Sequence, residues 1–335
     1  MDRIEKESSV VVAPGIPELI DIHNREKNLP VGVLLKFNLG ENLKGYSVYN
    51  PSPIEINGNK YLLGRVENRK SEKGAMVMLF SENEKGEWDI VEDAPVFKNT
   101  QDPFFCGIVD GFRIMGGVQT YEEEGNPYRT VIYSFKEDLS ELVVKGDLVE
   151  PFFVGPEKMK GVRLIQRKNG KIGVFTRPQG DDYGGRGKIG YFEINSLDDL
   201  NKELFNKDNN KLIPGVFVER TGGEDEWGGV NSLYLLNDGR IGVLAHIADF
   251  GPDGKKNYHA ISFIFDPDNN SVSELKIIAT ADQFPATESK MSHLGGVVYV
   301  GGAVPLNEDK VRLFVGVADA ESGYIDIDHP FKDLM

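Results

Sequence analysis

A chain of 335 residues with 40% hydrophobic side chains is long enough for one large domain or two ordinary ones and can build a sizeable core. Its 53 acidic against 38 basic residues leave a formal charge of -15, which excludes nucleic acid or an anionic membrane as the main partner but not a small anion held by a few local cations. One cysteine, Cys106, rules out an intramolecular disulfide or a cysteine metal site; with no signal-peptide pattern and no run of about 18 apolar residues, a soluble cytoplasmic protein is expected.

Residues 1–35, including VVVAPGIPELIDI, read as an N-terminal extension or first-strand region, an extra strand or an arm. Residues 36–335 read as short strands, apolar runs rich in Val, Ile, Phe and Tyr between Gly, Asn, Asp and Pro clusters. Five segments share one pattern: EINGNKYLLGRVE (55–67), GIVDGFRIMGGVQ (107–119), QRKNGKIGVFTRP (166–178), LLNDGRIGVLAHI (235–247) and LNEDKVRLFVGVA (306–318). Each is a strand end, a polar turn and an apolar strand. Four carry Asn-Gly or Asp-Gly, the strongest short hairpin signal, in which both turn residues take positive φ; the fifth has Glu308-Asp309-Lys310. The turn glycines 58, 111, 170 and 239 lie about 50 to 70 residues apart, the scale of a four-stranded propeller blade. The expected fold is all-β, a five-bladed β-propeller in a single domain over 36–335. A pair of β-sandwiches would explain the turns but not one hairpin recurring at blade spacing. Between the third and fourth segments, SLDDLNKELF (196–205), with Ser196 and Asp198 near its start and leucines on one face, predicts a short helix inserted in a loop.

In a propeller the innermost strands surround a central channel, so the residues where these hairpins begin and end converge on one pocket. In chain order they are Asn50, then Arg65 and Glu67; Asp102, then Gln119; Lys160 and Arg163, then Arg177; Trp227 and Asn231, then His246 and Asp249; and His293, then Asp319. Lys160, Arg163 and Arg177, joined by Arg186 and Lys188 of GGRGKIG, could form a compact anion site, since guanidinium forks match phosphate oxygens. Asp102 could be a general acid if burial raises its pKa. Asn50, Arg65 and Trp227 suit a sugar, through hydroxyl hydrogen bonds and ring stacking. Taken singly, each has a plainer reading: a turn former before Pro103, solvated strand-end cations, a satisfied core histidine at 246, a packing tryptophan. Recurrence at equivalent places lifts the set above that. No P-loop, dinucleotide fingerprint, HExxH or G-x-S-x-G spacing occurs, so neither a metal nor an organic cofactor is expected.

YNPSPIEINGNKYLLGRVE resembles the Asn-Pro…Gly-Lys-Tyr-Leu-Leu-x-Arg-Val-Glu opening of glycoside hydrolase family 130, the mannoside phosphorylases. QDPFFCGIVDG resembles the Glu-Asp-Pro-Arg segment that carries that family's catalytic aspartate, and KGVRLIQRKNGKIGVFTRP its third-blade segment ending in Arg-Pro. LLNDGRIGVLAHIAD resembles its Tyr-His-Gly-Val-Asp segment and GGVVYVGGAVPLNEDKVRLFVGVAD its closing one, so the likeness runs in order from about residue 46 to 327. The family's Glu and Arg around the aspartate are Gln101 and Phe104 here, and its phosphate lysine position falls at Trp227. The chain is thereby closer to the sister group of dual-activity β-1,2-mannosyltransferase-phosphorylases, glycosyltransferase family 108.

The resemblance implies an inverting β-1,2-mannoside phosphorylase that runs reversibly as a mannosyltransferase. Asp102 would be the general acid; Asn50 and Arg65 would contact the sugar; Gln119, Trp227, Asn231 and Asp249 complete the expected substrate set. Lys160, Arg163, Arg177 and His246 would hold inorganic phosphate, the co-substrate. The partners implied are a β-mannoside oligosaccharide, mannose 1-phosphate or phosphate, and in some members GDP-mannose. An inverting hydrolase needs a second carboxylate to activate water, whereas phosphate is already an anionic nucleophile and needs cations to hold it. Several cations beside one prominent carboxylate therefore favour phosphorolysis. Glu67, Asp249 or Asp319 could still supply a base, so a β-1,2-mannosidase remains an alternative, as does a non-catalytic carbohydrate-binding propeller.

Overall fold

The structure is a computed structural model that describes residues 13–71, 73–120, 128–217 and 225–335. It is a β-propeller built from antiparallel sheet units, the blades. The first blade has β1 (Tyr46–Ile56), β2 (Asn59–Asn68) and β3 (Met76–Glu82); the second β4 (Thr100–Val109), β5 (Phe112–Thr120) and β6 (Tyr128–Phe135). The third has β7 (Arg163–Gln166), β8 (Ile172–Thr176) and β9 (Gly190–Ile194); the fourth β10 (Trp227–Leu235), β11 (Ile241–Phe250) and β12 (Lys256–Asp266). The last has β13 (Gly296–Pro305), β14 (Lys310–Val317) and β15 (Glu321–Asp328). Short outer strands extend the blades, such as Phe153–Val154 on β6 and Lys211–Leu212 on β9. The outer strand of the last blade comes from the other end of the chain: Val33–Leu34 pairs antiparallel with β15, Val33 opposite Tyr324.

The inner strands touch in a closed ring, β1 to β4, β4 to β7, β7 to β10, β10 to β13 and β13 back to β1. Each blade is covered on both faces, so its strands are buried along most of their length rather than on alternate residues; β8 is buried throughout. The apolar core is divided into seams between neighbouring blades. Ile54, Leu63 and Val77 of the first blade meet Met115, Val131 and Tyr133 of the second, and Val48, Met78 and Phe80 meet Phe314 of the last. Across the seam between last and first blades, a Cβ on Gly301 would lie 1.6 Å from the Pro51 carbonyl oxygen. Gly301→Ala must push two backbones apart and is expected to cost about 1–3 kcal/mol, read as a lower melting temperature of the intact protein.

The tight turns are of two kinds. Ile56 pairs with Asn59 and Val109 with Phe112, so Asn57-Gly58 and Asp110-Gly111 are two-residue turns with all four residues at positive φ, as expected. The third and fourth hairpins are longer: Gln166 pairs with Ile172 and Leu235 with Ile241, and of each Asn-Gly or Asp-Gly pair only Gly170 and Gly239 turn left-handed. The extra residues let the chain turn first in right-handed geometry, so Asn169 and Asp238 need no positive φ.

The expected helix at 196–205 is instead two 3₁₀ turns, Leu197–Asp199 and Lys202–Phe205. Asn201 is extended between them and its side chain accepts from the Glu203 N–H, starting a new cap where a helix would have continued. The α-helix lies instead within the N-terminal segment read as a strand or arm. Helix α1 (Ile16–Asn24) has a proline in its first turn and buries Ile16, Leu19 and His23 on one face. Among the described residues no helix is long and apolar enough to cross a membrane.

Candidate functional site

A cavity of about 220 Å³ opens at the end of the ring where the inner strands begin. The sequence builds it with bulges. Register shifts interrupt the inner hairpins at Tyr49/Ser52, Gln101/Phe104, Val230/Ser232 and Val300/Gly302, equivalent places in four blades. Each bulge releases a residue from the ladder and re-aims it. Asn50 and Asp102 take positive φ, 52° and 48°, in these bulges, with Pro51 and Pro103 removing the N–H that would restore regular pairing. Asp319, at φ 49°, follows Ala318 at φ 55° in the turn after β14 and reaches the same cavity.

Asp102 is the centre of one wall. Its Oδ1 accepts from Asn50 Nδ2 at 2.7 Å and from Arg65 Nη1 at 3.0 Å, while no described residue bonds its Oδ2. The other end of the Arg65 fork, Nη2, donates to both oxygens of Glu67 at 3.0 Å. Glu67 is fully buried and also bonds Tyr49 and Lys290, so its carboxylate serves to orient Arg65 and does not reach the cavity. Burial works to raise the Asp102 carboxyl, but the Arg65 and Lys160 charges and the hydrogen bonds from Asn50 and Arg65 outweigh it, and it lies below the ordinary carboxylate value. The expectation that burial would raise it is therefore corrected: the resting carboxylate is ionised. Asp319 is displaced the other way, upward, through burial and the nearby Asp102 charge, against the pull of Arg65, Lys160 and Lys290.

Lys160, Arg163, Arg177 and His246 line the same cavity. Arg163 lies over the Phe104 ring, its Cζ 3.7 Å from the centroid, and its Nε and Nη1 are bound by the carbonyls of Asn231 and Val162 at 2.9 and 3.0 Å. Phe104 is thus the platform for a cation from the next blade. Arg177 is buried and makes no hydrogen bond or ion pair with any described residue. Gly161, Gly187 and Gly229 surround it; a Cβ at Gly187 would sit 2.7 Å from its Nε. Lys160 is held below the ordinary lysine value by burial and the Arg177 charge, only partly countered by Asp102. His246 is pushed well below the ordinary imidazole value by burial first and then by Arg177, Lys160 and Arg163, and so is neutral at pH 7.

The remaining expected residues lie off the cavity. Trp227 is buried behind Tyr258, donating Nε1 to the Tyr258 hydroxyl at 3.2 Å, with Arg186 stacked on it at 4.6 Å. Asn231 is buried behind His246; Gln119 accepts from Arg129 at 3.3 Å; Asp249 accepts from Asn257 at 3.3 Å. Lys188 is buried without lining the cavity. Among the lining residues that escaped the sequence reading are Lys256 and Tyr258 at the start of β12 and Tyr299 on β13. Lys256 and Tyr258 begin a third strand, which the ends of the inner hairpins do not include, and Tyr299 lies within the inner strand of the last blade, past its first residue. Among the described residues no group of three or more His, Cys, Asp and Glu could hold a metal ion.

The family described as "Protein of unknown function (DUF1861)" matches residues 22–333. No curated protein matches the chain. Among solved structures it is similar to MPT-4, a mannose phosphorylase from Leishmania mexicana in complex with phosphate ion: 30% identity, 95% of this chain and 94% of that one covered, TM-score 0.80. MPT-1, a GDP-Man-dependent mannosyltransferase from Leishmania mexicana, gives 31% identity, 95% of each chain and TM-score 0.79. The catalytic domain of a Coprinopsis cinerea GH62 α-L-arabinofuranosidase, at 10% identity, 89% of this chain, 97% of that chain and TM-score 0.54, shares the fold alone.

Proposed function

The chain belongs to the DUF1861 family and is similar to the Leishmania mannose phosphorylase and mannosyltransferase, and from its cavity we propose that it is an inverting β-1,2-mannoside phosphorylase that runs reversibly as a mannosyltransferase. The observation that carries this reading is Arg177, a buried guanidinium with no bonded partner among the described residues, beside Lys160 and Arg163 in a cavity that also holds an ionised Asp102. A buried cation without an anion is costly unless a ligand supplies one. Phosphate does so, and the two similar solved structures are of a phosphorylase with phosphate bound and of a mannosyltransferase.

In the transfer direction the acceptor hydroxyl attacks the anomeric carbon of α-mannose 1-phosphate. Asp102 Oδ2 takes the hydroxyl proton, the bond from that carbon to the phosphate oxygen breaks, and Lys160, Arg163 and Arg177 hold the departing phosphate. One displacement inverts the centre and gives the β-mannoside. In phosphorolysis the same steps run backwards, and Asp102, protonated, is the acid. The ionised resting state suits the transfer direction, in which a base is needed. Asn50 and Arg65 fix Asp102 and border the space for the sugar.

The second reading is a β-1,2-mannosidase, favoured by Asp319, a second carboxyl on the cavity that could activate water. The test is to incubate the protein with α-mannose 1-phosphate and mannose, and in parallel with GDP-mannose and mannose. The proposal expects inorganic phosphate and β-1,2-mannobiose in the first arm, and consumption of the disaccharide only when phosphate is added. Cleavage of β-1,2-mannobiose without phosphate would establish the hydrolase instead, and product from GDP-mannose alone would replace the donor.

A further inference from the structure

Asn231 fixes which nitrogen of His246 carries the proton. The Asn231 Nδ2 group donates to the Val300 carbonyl at 2.7 Å, and a carbonyl can only accept, so the amide cannot be turned round. Its Oδ1 therefore faces His246 Nδ1, 2.8 Å away, and this nitrogen must be the donor. In a neutral imidazole the other nitrogen, Nε2, then carries a lone pair. The ring is held in place by Tyr258, stacked at 5.3 Å with the planes 4° apart, and it lines the cavity beside the cations. The groups around it are Arg177, Lys160 and Arg163, which oppose a positive ring, Asp102, which favours one, and the hydroxyls of Tyr258 and Tyr299.

We infer that His246 is a hydrogen-bond acceptor at the anion site, and that it selects an oxyanion still carrying a proton, hydrogenphosphate, over one that carries none. Three cations would draw any divalent anion equally. At neutral pH hydrogenphosphate has one P–OH to give to Nε2, whereas sulfate brings only oxygen lone pairs against it. Asn231 acts here as a positioning residue through the ring. The inference rests on the reading of the cation cluster as a phosphate site.

Calorimetric titration with inorganic phosphate and with sulfate at pH 7.5 tests it. Phosphate is expected to bind about 10- to 100-fold more tightly, the cost of setting two lone pairs against each other. Asn231→Asp puts a carboxylate on Nδ1, favours the charged ring and turns Nε2 into a donor, so the ratio should collapse towards one. Should that variant fail to fold, His246→Gln, which can offer an N–H to either anion, should also lower the ratio. Equal binding of the two anions by the unaltered protein would overturn the inference while leaving the phosphate site standing; no binding of either would overturn the site itself. Ring ¹⁵N spectra of the unliganded protein, with His246 assigned by its loss in His246→Gln, read the tautomer independently of any ligand. A proton on Nε2, in either the neutral or the charged ring, would overturn the inference.

Discussion

Asp102→Asn should lower mannosyl transfer by about 10²- to 10⁴-fold and leave the fold and sugar binding intact. The asparagine oxygen can take the place of Oδ1 and keep both hydrogen bonds, from Asn50 and Arg65, while the amide nitrogen occupies the position of Oδ2. Geometry is preserved and only the capacity to accept a proton is lost. Initial rates from α-mannose 1-phosphate, beside melting curves and mannose binding, check it; an active Asp102→Asn protein would remove Asp102 from the chemistry. The pH dependence follows from the direction of the shift. A carboxyl depressed below its ordinary value stays ionised across the neutral range, so transfer should lose its base only as the pH falls below about 3.9, the ordinary aspartate value. A protein that unfolds before that point would show no acid limb belonging to Asp102.

Arg177→Leu should weaken phosphate binding about ten- to a hundredfold, the worth of about 1.5–3 kcal/mol for hydrogen bonds to a charged group, without loss of stability in the absence of phosphate. Among the described residues the guanidinium has no bonded partner, and it sits against like charge, since Arg177 is a main reason that Lys160 and His246 are depressed. An apolar side chain in the same slot removes that repulsion. Phosphate should raise the melting temperature of the unaltered protein, because it binds the folded state alone, and should do so much less for the variant. A variant that melts earlier without phosphate would show that Arg177 is there for the fold.

The recurrence of one hairpin made both the architecture and the Asn50, Arg65 and Asp102 cluster legible in the sequence. A residue at the same place in each repeat must reach the same end of the ring. The bulges were not legible, because Asn-Pro and Asp-Pro report a break in pairing without giving its direction. Nor was the sign of the Asp102 shift, since burial and two cations compete and their balance depends on distance. Trp227 and Asn231 illustrate a different difficulty. Both lie on the expected strand, β10, yet they stand behind Tyr258 and His246, the side chains that face the cavity. Helix α1 was hidden by its length, nine residues behind a proline-glycine pair that reads equally well as a turn.

The pairing of Val33–Leu34 with β15 brings together residues nearly the whole chain apart. Such contacts are entropically expensive to form and come late, so folding should be slow for a protein of this size, with blades assembled before the ring is shut. The two-residue strand works as a latch: the Leu35 N–H also bonds the Ser322 carbonyl, and the Ser322 hydroxyl bonds the Val48 carbonyl in the first blade. Every blade contributes a wall to the cavity, from Asn50 in the first to Tyr299 in the last. An open ring therefore has no assembled site, whatever secondary structure it keeps. Turnover then becomes a reporter of ring closure, and in a denaturant titration it should vanish together with the latch, before the blades lose their strands.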